Sequence, residues 1–292
     1  MAGLSLELIG LQLFSGVALG AVLAPILVPL IAAAWGWQMA FISTGVAGLV
    51  WLAGWWWLYD EPGSHPRLSA AERTLITSDA VASPAVQIPL PRLIRMRETW
   101  AYAIPKALAD PIWWFYLFWL PKFLATEHGI RGTAVIPYLT VVYIAADVGA
   151  LGAGWLSSLM MKRGWSLNSA RKVTMIGLAA VMMPAVILAS QSDEVWPAML
   201  LIALACGCHQ AWATMLFTIT ADLFPRNGAG SVTGFGGCVA GFASIVTAEL
   251  TGRVLNADPG LYVPMFVTAA ALYPVSLFVL HRLSPRLEPA DV

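Results

Sequence analysis

Charge is what this sequence has least of. Asp, Glu, Lys and Arg make up 11% of its 292 residues, where an ordinary soluble domain carries about a quarter. The stretch 8–59 has no charged residue at all. With 59% hydrophobic residues and a mean hydropathy of +0.74, a water-soluble or disordered chain is excluded. Cysteine is scarce too. Cys206, Cys208 and Cys238 lie in apolar segments, which excludes a disulfide framework. Cys206 and Cys208 followed by His209 resemble a metal-ligand run, but no second ligand pair accompanies them. They read as small apolar residues packed between helices, and no metal is expected. Catalytic signatures are missing as well: no GxSxG, GxxxxGK[ST] or HExxH, and no carboxylate–histidine arrangement at a membrane surface. No enzyme, catalytic residue or cofactor is therefore expected. The formal net charge is zero, and no nucleic acid is expected as a partner. The N-terminus lacks a basic n-region and a small-residue cleavage site, so no signal peptide is expected.

What the chain does have is long apolar runs. The uncharged stretch exceeds one span, and WGWQ at 35–38 divides it into helices near 9–33 and 39–58. Gly16 and Gly20, four apart, permit close helix approach, and Trp35, Trp37 and Trp55 to Trp57 form interfacial belts. A polar connection follows at 59–98, in which HPRLSAAE (65–72) reads as a short surface helix with Ser69 and Glu72 as a capping box. Further spans are expected at 100–124, 134–157, 173–189, 195–221, 231–252 and 262–280. The fold class is an all-α polytopic membrane protein of eight transmembrane helices. Its parts are two helices of a first bundle (1–58), an inter-bundle connection (59–98) and a six-helix bundle (99–292).

Lys and Arg fix the expected orientation. Twelve of them fall in the connection, the 158–172 and 222–230 loops and the tail, segments that alternate consistently. Arg131 and Arg253 alone occupy the opposite side. The positive-inside rule then places the connection and both termini in the cytoplasm of a multi-pass inner-membrane protein.

The chain is organised around WAYAIPKALADPIWWFYLFWLPKFL at 100–124. It is long enough to cross a ~30 Å hydrocarbon core at roughly 1.5 Å per residue, yet it holds Lys106, Asp110 and three prolines. Lys106 and Asp110 are four apart and share a helix face with Trp113 and Leu117. Such a helix is costly in lipid and is expected to face a cavity. Asp110 lies about ten residues, ~15 Å of helical rise, from the cytoplasmic end, and Asp147 lies at a similar depth in the next span. Either carboxylate can neutralise Lys106, as an internal pair that fixes packing or as one exposed to a translocation path. His209 and Gln210, in the middle of the sixth span beside Trp212, suit recognition of a hydroxylated or carboxylated solute. A histidine there can also simply bond a neighbouring carbonyl. Lys122 snorkels near the outer end. Glu249 and Arg253 form a surface i,i+4 pair, and Asp222 near Arg226 organises a cytoplasmic loop.

Five stretches carry a family likeness: DPIWWFYLFWLPKFL (110–124), YIAADVGALGAGWLSS (143–158), KRGWSLNSARK (162–172), HQAWATMLFTITADLFPR (209–226) and GSVTGFGG (230–237). They resemble the anion:cation symporter branch of the major facilitator superfamily, and its hexuronate transporters in particular. Residues 154–164 look like a weak copy of that superfamily's cytoplasmic Gly-x-x-x-Asp-Arg loop, with Ser158 where Asp stands. The resemblance implies twelve helices in two halves, with a sugar acid and a proton bound between them. This chain matches helices five to twelve and so looks N-terminally truncated. The four absent helices are those on which the family carries acidic and arginine residues for coupling and carboxylate binding. Met215 stands where the family pattern has Asn. On this reading Lys106, Asp110, Trp113, His209 and Gln210 line the substrate side, while Asp147, Gly154, Lys162, Arg163, Asp222 and Arg226 serve structure or gating. The expected partners are a small organic anion, protons and the lipid bilayer. A non-transporting membrane remnant or partner subunit is the alternative.

Overall fold

The structure, a computed structural model, describes residues 20, 23–60, 69, 71–72, 74, 88–258 and 261–290. Most of the first half of the first expected span and most of the polar connection lie outside them. Among the described residues the chain is helical throughout: α1 (Leu23–Trp35), α2 (Trp37–Leu58), α3 (Leu90–Arg95), α4 (Arg97–Glu127), α5 (Ile136–Lys162), α6 (Leu167–Ser190), α7 (Val195–Leu223), α8 (Arg226–Ala257) and α9 (Tyr262–Leu283). Six of them are long and apolar enough to cross a membrane. The protein is an all-α membrane protein.

Helices α4 to α9 pack as an antiparallel bundle with α7 at its centre. α7 is buried along most of its length, from Ala198 to Leu223. Its most extensive pairing is with α5, while α4 lies against α8 and α9. The helices run past the expected span ends because polar residues continue them into the interface. Ser166 caps α6, its Oγ accepting from the Ser169 backbone N–H at 3.2 Å. α4 reaches 31 residues and stays continuous through Pro105, Pro111 and Pro121. A proline leaves one carbonyl of the ladder without its donor, and a neighbouring helix in a bundle can supply another. Ser276 of α9 also donates to α4, at the carbonyl of Pro105, at 3.3 Å.

α2 stands apart from this packing: Ala40 is its only buried residue, and Trp56 and Trp57 are more than 80% exposed. In the connection, the Ser69 N–H and Oγ both donate to Glu72 Oε2, and the Glu72 N–H donates to Ser69 Oγ, as a capping box requires. These bonds hold the exposed Glu72 carboxyl below its usual pKa.

Three glycines bring helices into direct contact. A Cβ added to Gly149 of α5 would collide with the backbone of Gly207 in α7, and one on Gly207 would lie 2.8 Å from the Ala145 carbonyl oxygen. A Cβ on Gly236 of α8 would enter the Tyr102 ring of α4. Without a hydrophobic drive between helices in lipid, such close packing is the main source of association. Gly149→Ala is therefore expected to destabilise the bundle by about 1–3 kcal/mol, the usual cost of overpacking. Gly152→Ala, with nothing within 4 Å of the added carbon, is the control. Thermal unfolding in detergent compares them, and equal midpoints would show that α5 and α7 do not touch at Gly149.

At the end of the bundle where α5 and α7 stop and α6 begins, buried Arg171 links three helices. Its Nε donates to Asp222 Oδ2 at 2.9 Å, and Nη1 donates to Ser157 Oγ at 2.8 Å. Asp222, expected beside Arg226, is bonded to Arg171, 51 positions away. Arg226 opens α8, and its side chain lies outside the description. The segment after α9 folds back onto the same end. The Leu287 N–H donates to Asn168 Oδ1 at 3.3 Å, and the Ala290 N–H donates to the Leu223 carbonyl at 2.8 Å.

Candidate functional site

The site is built on one face of α4. The i,i+4 spacing puts Lys106 and Asp110 one turn apart, and Nζ and Oδ2 meet at 2.7 Å. Of the two carboxylates open to Lys106, it is Asp110 that takes it. Asp147 of α5 is half-buried and has no ion pair or hydrogen bond among the described residues. The ammonium of Lys106 also lies over the Phe217 ring of α7, 4.7 Å from its centroid, a cation–π contact that helps hold a charge away from water. The pair is not sealed: the Lys106 side chain is 11% exposed and that of Asp110 24%. A solute reaching this face would meet the carboxylate first.

One turn further, Trp113 stacks on His209 of α7, their rings 5.5 Å apart and 8° from parallel. Tyr143 of α5 meets Trp113 edge-on at 6.2 Å. His209 is buried, and its Nδ1 is 2.5 Å from the hydroxyl of Tyr273 in α9. His209 therefore sits behind Trp113, so that α4, α5, α7 and α9 meet through four aromatic or imidazole rings. Gln210 is half-buried, and its side chain has no hydrogen-bond partner among the described residues. Both its donors and its acceptor are available to a ligand. Against Trp113 and Tyr143 lies a cavity of about 30 Å³, also lined by Tyr116, roughly the space of one water molecule. The Tyr116 hydroxyl and the Trp212 indole N–H are buried without a partner among the described residues.

The remaining expected residues are placed away from this face. Gly154 is half-buried on α5, Lys162 ends that helix and exposed Arg163 follows it. Asp222 belongs to the Arg171 link. Lys122 lies over its own neighbour Trp119, 4.5 Å from the ring centroid, and Glu249 and Arg253 form a surface pair at 2.8 Å. The sequence reading missed Tyr273, Tyr143 and Phe217. A tyrosine inside an apolar span was the available signal, because its hydroxyl needs a partner there.

Membrane-length helices that hold an ion pair and polar aromatic groups within the bundle define a polytopic membrane protein with a polar interior. The model of the Major Facilitator Superfamily matches residues 12–248, and the chain belongs to that superfamily. It is a multi-pass membrane protein of a transporter superfamily, not an enzyme family, and it is similar to sugar-acid transporters. It is 29% identical to the hexuronate transporter of Escherichia coli K12 over 260 residues, 87% of this chain and 60% of that protein. It is 32% identical to the galacturonate transporter of Dickeya chrysanthemi over 151 residues, half of this chain and 44% of that one. With the D-galactonate transporter of Escherichia coli O6:H1 it shares 26% over 255 residues, 84% and 59% of the two chains. The chain spans about 60% of the length of the hexuronate and D-galactonate transporters it matches.

Proposed function

We propose that this chain is the larger part of a proton-coupled symporter for hexuronates or related sugar acids. Residues 1–58 would close a first bundle, 59–98 would connect, and 99–292 would form the second. The observation that carries the reading is the Lys106–Asp110 pair, a partly exposed ion pair midway along a membrane-length helix of a chain related to sugar-acid transporters. A sugar acid brings a carboxylate and hydroxyls. Protonation of Asp110 would release Lys106 to a substrate carboxylate, tying proton uptake to anion binding. Gln210 would meet a hydroxyl, Trp113 would offer its ring to the sugar, and His209 would hold that ring in place.

The test is uptake of labelled glucuronate and galacturonate by a twelve-helix version of the protein, completed with a first bundle from a relative. Uptake should be driven by an inward proton gradient and should fall at least tenfold in Lys106→Met. His209→Ala should raise the apparent KM at normal expression. No uptake of any sugar acid by a well-expressed version would overturn the assignment.

The reading also orients the chain. Lys162, Arg163, Arg171, Lys172, Arg282 and Arg286 gather at the end of the bundle where Arg171 links the helices, and the positive-inside rule makes that end cytoplasmic. A single cysteine placed at Trp165, in an otherwise cysteine-free chain, should resist an impermeant maleimide added to intact cells and react after permeabilisation. Strong labelling from outside would reverse the orientation.

A further inference from the structure

Between α6 and α9 runs a groove of about 600 Å³ that the transport reading does not use. Ile176, Ala179, Met183 and Leu277 line it, and Ile176 and Phe278 are 53% and 63% exposed beside it. Its polar end is formed by Lys172 and His281. From Lys172 to Met183 is eleven positions, ~16 Å of helical rise, close to the ~15 Å depth of one leaflet's hydrocarbon. The groove thus reaches from the membrane surface to about mid-bilayer and opens sideways.

The cation at its end has no carboxylate partner among the described residues. Lys172 is 8% exposed, and its Nζ donates to the carbonyls of Ser284 at 2.9 Å and Pro285 at 2.6 Å and lies 3.2 Å from His281 Nδ1. These contacts engage all three ammonium protons, but among the described residues no carboxylate pairs with the charge. The carbonyls past the end of α9 offset only part of it. With Nδ1 accepting from Lys172, His281 keeps its own proton on Nε2, as a donor at the groove. Arg282, the next residue, is exposed and has no ion pair among the described residues.

We propose that this groove holds one anionic phospholipid, an acyl chain lying along α6 and α9 and the phosphodiester beside His281, Arg282 and the charge of Lys172. A zwitterionic lipid would bring its own cation to a place already positive. A protein occupant is disfavoured by the match between the groove's length and a single leaflet. Basic pockets at the surface end of neighbouring membrane helices suit anionic headgroups generally.

The experiment uses the purified 292-residue chain in mild detergent. Phosphatidylglycerol and phosphatidylcholine with the same acyl chains are titrated in, with native mass spectrometry and thermal unfolding as readouts. Phosphatidylglycerol should be retained at one per chain, at least tenfold more tightly, and should raise the melting temperature. Lys172→Gln with His281→Ala should abolish the preference. Because that variant also loosens the tail, Ala180→Phe, which fills the groove without touching the polar end, should independently prevent retention. Equal retention of the two lipids would overturn the proposal. So would an Ala180→Phe chain that still binds phosphatidylglycerol, or glycerol 3-phosphate giving the full shift without acyl chains. A dimer whose formation excludes the lipid would assign the groove to a second copy instead.

Discussion

Asp110→Ala is expected to lower the melting temperature of the purified chain by roughly 6–12 °C. The cause is the charge it leaves behind. Lys106 is 11% exposed and lies between the Asp110 carboxylate and the Phe217 ring. Removing one partner of a buried pair costs about 3–5 kcal/mol, because the other charge stays dehydrated. Asp110 is itself 24% exposed, so the lower end, about 3 kcal/mol, applies; at ~2–4 °C per kcal/mol this gives the stated shift. Lys106→Met should cost less, since the more exposed carboxylate can find water. The double variant Lys106→Met, Asp110→Leu should recover most of the loss, as replacing both members of a buried pair by apolar groups often does. If Asp110→Ala melts within 2 °C of the parent, roughly what 1 kcal/mol would move, the pair is effectively solvated. In the twelve-helix version the same double variant separates two roles. Stable protein without uptake makes the pair part of the transport path, whereas stable protein with full uptake makes it a packing device.

The second large effect is a complete absence. Placed alone in liposomes under an inward proton gradient, the 292-residue chain is expected to accumulate no hexuronate. Alternating access rocks two bundles about a site between them, and in this structure one bundle, α4 to α9, is packed. α2 buries a single residue, Ala40, and has little of the close contact on which membrane helices depend for association. The Lys106–Asp110 face would then open to lipid rather than to an opposing half. Uncoupler-sensitive accumulation of labelled hexuronate above protein-free vesicles would show that a single packed bundle suffices.

Much of the bundle was legible in the sequence because membrane helices announce themselves by hydropathy alone. Five of the six spans expected from 100 to 280 lie within helices found there, and the sixth, 134–157, begins two residues before α5; most ends run on by a few residues. α4 is the exception in composition. Its charges keep it below the apolarity of the other long helices, but its length and its apolar run between them still marked it as a span. The Lys106–Asp110 pair was readable because i,i+4 spacing is local. The partners of Asp222 and His209 were not. Asp222 meets Arg171 across two helices, and His209 lies between Trp113 and Tyr273, contributed by helices distant in sequence. No spacing rule relates such residues. Their meeting depends on how α4, α6 and α9 are arranged around α7.

The tail beyond α9 has a mechanical consequence. Residues 284–290 are moored to the start of α6 through Asn168 and Lys172, and to the last turn of α7 through Leu223. Tension applied at the C-terminus, by a tether or a fused domain, would therefore be borne first by α6 and α7. Only when those moorings parted would α9 feel the load, so the last helix is shielded from the end of its own chain.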